Sequence, residues 1–418
     1  MHDILAVSWY NHTNSSWPSG SSRLPGLSQL LKSSHVVGAM STISEDHALL
    51  IDGVRSYARG ELLESDAVWD HNETSCCERL NEFYEMGLMA LRVPEQIGGL
   101  GCPMLPYAHI IRELAYASPA VSVTISVHTM VCEAIRMFAA DAVRDELLSQ
   151  LATPDNLSAF AISEPDAGSD PTAVKTRAER VDGGWKLYGN KFWVTNGMTG
   201  RWFAVLARTG RSGTGKDLSM LLLDARQDAV QRSPIHGKMG IRGSETAEMN
   251  LDGAFIPKEN LLGQPGDGLK IALSALDGGR IGIASQAVGI GAACIDLMVS
   301  YAKERRQFNR PIADFQAIQW MIADSQTDVD AAQLLIDRAA TCKENDEPFT
   351  REASMAKLFA SEAANRIAYR AVQVHGGTGY VNECRVEQLY RDARITTIYE
   401  GTSEIQRHVI AREVLNNR

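Results

Sequence analysis

The chain has 418 residues, 44% of them hydrophobic, with a formal net charge of −10 at pH 7. That length can bury large cores in two or three domains, and an acidic surface without Lys/Arg clusters argues against nucleic acid as the main partner. The seven cysteines show neither C-x-x-C pairs nor the spacing of a disulfide scaffold, which points to free thiols in a reducing compartment.

Residues 1–43 are rich in Ser with Trp, Pro and Gly, and carry Lys or Arg only at Arg23 and Lys32. They read as an extension separate from the rest, either a transit peptide or the product of an upstream start with Met40 as the working initiator. From Ser44 onward Leu49, Leu50, Val54, Tyr57 and Leu62 recur at helical spacing, and helical patterns continue over 80–89, 107–117 and 139–151. An all-helical domain is expected over 44–156. Between 157 and 267 the segments 185–188, 202–206, 218–223 and 247–251 read as strands separated by Gly, Asn, Asp and Pro, suited to a small antiparallel barrel or sandwich.

The helical period returns at 268, where Gly282, Ala284, Ala287, Gly289, Gly291 and Ala292 make a helix that neighbours can approach closely. Further helices over 315–340, 350–374 and 402–415 predict a four-helix bundle over 268–418. The fold class is α+β, mainly α. The longest apolar stretch, 115–132, is interrupted by Ser, Thr, Pro and His, so no membrane span is expected.

Glu400 carries the chemical interest. Ser403 and Gln406 have the spacing of an S-x-x-Q capping box, which starts a helix and leaves Glu400 in the loop before its N-terminus. Gly401 lets the backbone approach a ligand, and the helix end offers free N–H donors beside the carboxylate. A base next to amide donors suits removal of a proton and retention of the resulting oxyanion. Taken alone, such a loop acid is more often a solvated side chain favouring a helix N-terminus.

Further segments stand beside it in order: PEQIGGLG at 94–101, AISEPDAGSD at 161–170, KFWVTNG at 191–197 and GIRGSET at 240–246. RRQF at 305–308, QVHGGTG at 373–379 and RDAR at 391–394 follow. From about residue 45 to its end the chain resembles the acyl-CoA dehydrogenase family. Through LDGGRIGIA at 276–284 it is similar in particular to the short-chain, butyryl-type members.

The resemblance implies helical, β and four-helix-bundle domains in that order, and FAD-dependent oxidation of an acyl-CoA thioester to a trans-2-enoyl-CoA, with Glu400 as the base. Some relatives carry the base on the helix near Asp277, where this chain has Gly278 and Gly279. By the same resemblance Phe160, Ile162, Ser163, Gly168, Ser169, Trp193 and Thr195 contact the flavin. Arg305, Phe308, Gln373, Gly376, Gly377, Thr402 and Glu404 reach the FAD of a neighbouring subunit in a homotetramer. Ser169, Asp277, Arg280, Tyr399 and Gly401 hold the acyl-CoA, while His128 receives no catalytic role. An electron-transferring flavoprotein is the implied electron acceptor, C4 to C8 or short branched acyl groups the implied substrates, and the bacterial cytoplasm or the mitochondrial matrix the implied location.

An acyl-CoA oxidase, a flavin monooxygenase and a non-catalytic binding protein are the alternatives on this fold. No metal is expected, since no H-x-x-x-H with a helix acid occurs. Gly376, Gly377 and Gly379 lack the strand and ribose-binding acid of a dinucleotide fingerprint, so no nicotinamide cofactor is expected.

Overall fold

The computed structural model describes residues 43–416, so the extension read over 1–43 lies outside the described residues except for Ile43. The chain opens with α1 (Glu45–Tyr57), whose Ser44 cap accepts a hydrogen bond from the His47 N–H, and α2 (Leu63–Asn72). Helices α3 (Leu80–Glu85), α4 (Met104–Ala117), α5 (Pro119–Phe138) and α6 (Asp141–Leu151) complete the first layer. Ser118 caps α5 by accepting from the Val121 N–H, and Pro119 sits in its first turn, where no N–H is needed.

The middle of the chain forms one eight-stranded sheet from β1 (Ser158–Ala161), β2 (Arg177–Val181), β3 (Gly184–Thr195) and β4 (Trp202–Arg208), then β5 (Leu218–Asp224), β6 (Val230–Pro234), β7 (Thr246–Pro257) and β8 (Leu261–Leu262). Its order is β6-β7-β3-β2-β4-β5-β8, with β1 paired to β4. Most pairings are antiparallel as expected, but β1 and β2 each meet β4 in parallel. One face packs on α5, α6 and the start of α7, and the other encloses its own core around Leu187, Phe203, Leu221 and Met249.

After the sheet come α7 (Gly268–Glu304), a short hairpin of β9 (Arg306–Gln307) and β10 (Arg310–Pro311), α8 (Gln316–Glu344) and α9 (Thr350–His375). Helices α10 (Arg385–Ile395) and α11 (Ser403–Asn416) close the described chain. Helices α7, α8 and α9 pack on one another, and α11 packs on α9. The first and last helical regions share one hydrophobic core, in which α4 and α5 lie against α7.

One expectation is refined here. Helices α5 and α7 are both long and apolar enough to pass for membrane spans, contrary to the reading of 115–132 as too interrupted. In each, 83% of the qualifying window is buried inside the protein, so both are core helices. The polar residues of α5 are satisfied internally: the buried His128 ring bonds the Leu151 carbonyl at 3.1 Å and accepts the Ser158 N–H at 3.1 Å. Burial lowers its pKa to about 4, which leaves His128 a neutral structural residue.

Candidate active site

Glu400 occupies a turn between α10 and α11 in left-handed backbone, with φ 56° followed by φ 90° at Gly401. A non-glycine residue held there stores strain of order 1–3 kcal/mol, a feature that clusters at functional sites. The capping assignment shifts by one residue. Thr402, not Ser403, caps α11 by accepting the Ile405 N–H at 3.3 Å. Gln406 turns back instead, donating from Nε2 to the carbonyls of Glu400 at 3.1 Å and Gly401 at 3.0 Å, and so braces the turn.

The Glu400 carboxylate points at α7. An added β-carbon on Gly279 would lie 2.7 Å from its Oε2 and 3.1 Å from the Met130 sulfur of α5. Although the residue is only half-buried, Oε2 itself is out of solvent and has no hydrogen-bond partner among the described residues. Burial raises the carboxyl pKa to about 7, against the opposing pull of Arg280 and Lys357. The reading of Glu400 as a solvated loop acid is therefore overturned.

The residues expected to hold the acyl-CoA lie near Glu400 in part. Arg280 is buried and paired with Asp277 at 2.5 Å, while Asp277 also accepts from Thr350 Oγ1 at 2.6 Å. The two residues form an internal pair rather than a helix-surface one. Tyr399 donates its hydroxyl to Gln286 of α7, whose amide in turn donates to the Pro119 carbonyl at 2.8 Å and to Ser122 Oγ at 3.0 Å. Ser169 is exposed, as is Gly168, on the loop after β1.

A second group assembles beside this one. Phe160 and Tyr399 pack on a single cluster of Val123, Val127, Ile241 and Ile283, which joins the end of β1 to the Glu400 loop. Lys191 is fully buried, binding Glu164 at 2.8 Å and the Ile162 carbonyl at 2.9 Å, and the Phe192 N–H donates to the Ser163 carbonyl at 2.9 Å. These bonds hold Ile162 and Ser163 against the irregular stretch of β3 that carries Trp193 and leads to Thr195. Trp193 has φ 60° and stays 59% exposed.

Arg305, Phe308, Gln373, Gly376 and Gly377 are all exposed and lie elsewhere. A stack of Tyr301 on His375, centroids 4.3 Å apart, brings the Arg305 hairpin and the Gly376 turn to the same end of α7 and α9. Along α7 that end is about 39 Å from Gly279 at 1.5 Å per residue. Thr402 and Glu404, by contrast, stand beside Glu400 at the start of α11. One chain thus brings together the Glu400, Phe160 and Trp193 groups but leaves the Arg305 group far away.

Residues 44–155, 159–254 and 266–415 match the N-terminal, middle and C-terminal domains of acyl-CoA dehydrogenases. The chain belongs to the acyl-CoA dehydrogenase family. It is 40% identical over 384 residues to the mitochondrial short-chain specific acyl-CoA dehydrogenase of Mus musculus, covering 92% of this chain and 93% of that protein. Its fold superposes with TM-score 0.87 on butyryl-CoA dehydrogenase from Megasphaera elsdenii, at 33% identity over 90% of this chain and 99% of the other. A chain from a structure of the electron transferring flavoprotein of Acidaminococcus fermentans gives TM-score 0.87 at 35% identity, again over 90% and 99%.

As an acyl-CoA dehydrogenase, the protein is an FAD-dependent oxidoreductase acting on acyl-CoA. The residues present fit that cofactor. An indole left 59% exposed on strained backbone, beside the fixed Ile162–Ser163 edge, offers a flat face for a ring system to cover.

Four side chains in this site escaped the sequence reading. Gln286 and the Lys191–Glu164 pair lie within runs that look apolar or motif-like, and only the fold aims them at the site. Lys357 did leave a signal: it falls at helical spacing within the buried stripe Ala353, Ala356, Ala360 and Ala364 of α9.

Proposed function

We propose that this acyl-CoA dehydrogenase oxidises a short-chain acyl-CoA to its trans-2-enoyl-CoA, with Glu400 removing the α-proton. The observation that carries this reading is the Glu400 carboxylate, raised by burial to a pKa of about 7, with an Oε2 that no group among the described residues engages. A base is most effective when its proton affinity matches the working pH. The Glu400 N–H stands as one donor to the developing enolate oxygen, and losing such a donor would raise the barrier on the order of 3 kcal/mol. FAD, when bound, would supply the two-electron acceptor for the β-hydrogen, and Glu400 would keep the α-proton. Phe160, Ile162, Ser163, Gly168, Ser169, Trp193 and Thr195 hold the ring and its phosphates.

The walls around Gly279 support a short acyl group. One helical turn on, an added β-carbon on Gly282 would meet Ser126 Oγ at 3.2 Å and the Tyr107 hydroxyl at 3.4 Å. The next turn is closed by the Gln286–Tyr399–Ser122 bonds. A turn of helix rises about 5.4 Å, room for a few methylenes beyond the thioester. These close walls favour short linear acyl groups, C4 first, as the substrate.

The exposed Arg305, Phe308 and Gln373 set, remote from its own Glu400, supports a homotetramer in which it meets the FAD of a neighbouring subunit. An electron-transferring flavoprotein is the proposed electron acceptor, and the bacterial cytoplasm or the mitochondrial matrix the proposed location. Anaerobic titration with butyryl-, octanoyl- and palmitoyl-CoA tests the proposal through the visible flavin band. Bleaching by butyryl-CoA at the lowest concentration is the expected result; a flavin that only palmitoyl-CoA reduces would refute the short-chain reading.

A further inference from the structure

The Lys357 ammonium has no part in the chemistry derived above, yet it is fully buried. A buried cation costs several kcal/mol unless it is paired or well bonded. Its Nζ donates to the Gly401 carbonyl at 2.7 Å, the same oxygen that accepts from Gln406 Nε2 at 3.0 Å. The carbonyl of the strained turn is therefore clamped from α9 and from α11 at once.

Other charged and titratable groups face Lys357 and Glu400 from α7, from α11 and from the loop before it. From α7 comes Arg280, which pulls more strongly on Glu400 than Lys357 does but is already matched by Asp277 at 2.5 Å. From α11 comes Glu404, which is exposed. The loop itself contributes Tyr399, kept neutral by burial and bonded to Gln286. Among the described residues facing Glu400, Lys357 is left as the cation without a carboxylate in ion-pair contact. Burial pulls its pKa down to about 7, and Glu400 is the foremost group pulling it back up.

We propose that Lys357 is a positioning residue for the reaction, whose ammonium clamps the turn carrying Glu400 and serves as the counter-charge of that carboxylate. The inference rests on Glu400 being the base. Lys357→Gln removes the charge while keeping an N–H donor one bond shorter, whereas Lys357→Arg keeps the charge.

The test is stopped-flow reduction of the FAD-loaded enzyme across pH, using the acyl-CoA that bleaches the wild type. In Lys357→Gln the pH midpoint of the reduction rate is expected to rise by about one unit or more, with about tenfold slower reduction at neutral pH. Lys357→Arg should keep the wild-type midpoint. Slower reduction at every pH with the midpoint unmoved would overturn the proposal and leave Lys357 a purely structural residue.

A reciprocal measurement needs no change at Lys357. The lysine Nζ resonance is followed in selectively labelled protein, where Glu400→Gln should lower the Lys357 titration midpoint; an unchanged midpoint would again overturn the proposal. Failure of the base reading looks different, because then Glu400→Gln would itself reduce flavin like the wild type.

Discussion

Gly279 of α7 and Glu400 of the α10–α11 turn meet so closely that a β-carbon at 279 would stand 2.7 Å from Oε2. The missing side chain makes the space in which the carboxylate sits, and the acid and the glycine are therefore one device contributed by two distant parts of the sequence.

Gly279→Ala is expected to displace the carboxylate rather than α7, because α7 is wedged between α4, α5 and α9. A misplacement of about 1 Å at a reacting group costs on the order of a hundredfold. Flavin reduction should slow by about that factor while FAD content is unchanged, which single-turnover absorbance on the purified variant would check.

Lys191 and Glu164 form a buried pair beneath the Ile162–Ser163 edge, and Glu164 also accepts the N–H groups of Lys175 at 2.7 Å and Thr176 at 2.9 Å. Removing one partner of such a pair strands a charge and costs about 3 to 5 kcal/mol. Lys191→Met should lower the melting temperature and release FAD, and flavin fluorescence during a thermal ramp reads both. Unaltered melting would mean that the pair contributes nothing.

Acid groups away from the reaction set a stability slope. Asp66 and Asp392 are both buried, and burial holds each above the ordinary aspartate range. A carboxyl raised on folding binds more protons in the folded state. Its stabilisation is complete below the unfolded value, about 4, and is lost as pH climbs through the raised one. Stability from this pair should accordingly fall as pH rises through neutrality. Asp392→Asn, which keeps an acceptor for the Ile241 N–H, should flatten that slope in denaturant titrations at a series of pH values. Glu400 adds an opposite demand from activity: the base works only when ionised, so flavin reduction should rise with pH through about 7.

Much of this was legible in the sequence, and what was not has identifiable causes. Strands with alternating burial, such as β7, announce themselves by period, as do α4 and α9. Helix α5 was read only as an apolar stretch, because Ser, Thr and His lie scattered along a helix that is buried over most of its length. The 11-residue helix α10 went unread because it is short and rich in charge. Thr402 and Ser403 are both able to cap, and only the turn at Glu400 and Gly401 decides between them. Glu400 stood out through its neighbours, whereas its 2.7 Å relation to Gly279 joins residues too far apart in sequence for local reasoning.

The distance of Arg305, Phe308 and Gln373 from Glu400 leads to a complementation experiment. Glu400→Gln subunits and Arg305→Glu subunits should each be inactive alone. Mixed and reassembled, they should regain activity, because an intact Glu400 from one kind can meet an intact Arg305 from the other. No recovery on mixing, with oligomers confirmed by sedimentation, would mean that each chain completes its own flavin site.

The most direct test of the whole account is anaerobic titration of wild type and Glu400→Gln with butyryl-CoA, watching the visible flavin band. The wild type should bleach with one equivalent per FAD, and the variant should bind FAD normally but reduce about a hundredfold to ten-thousandfold more slowly. Equal bleaching of both proteins would contradict Glu400 as the base.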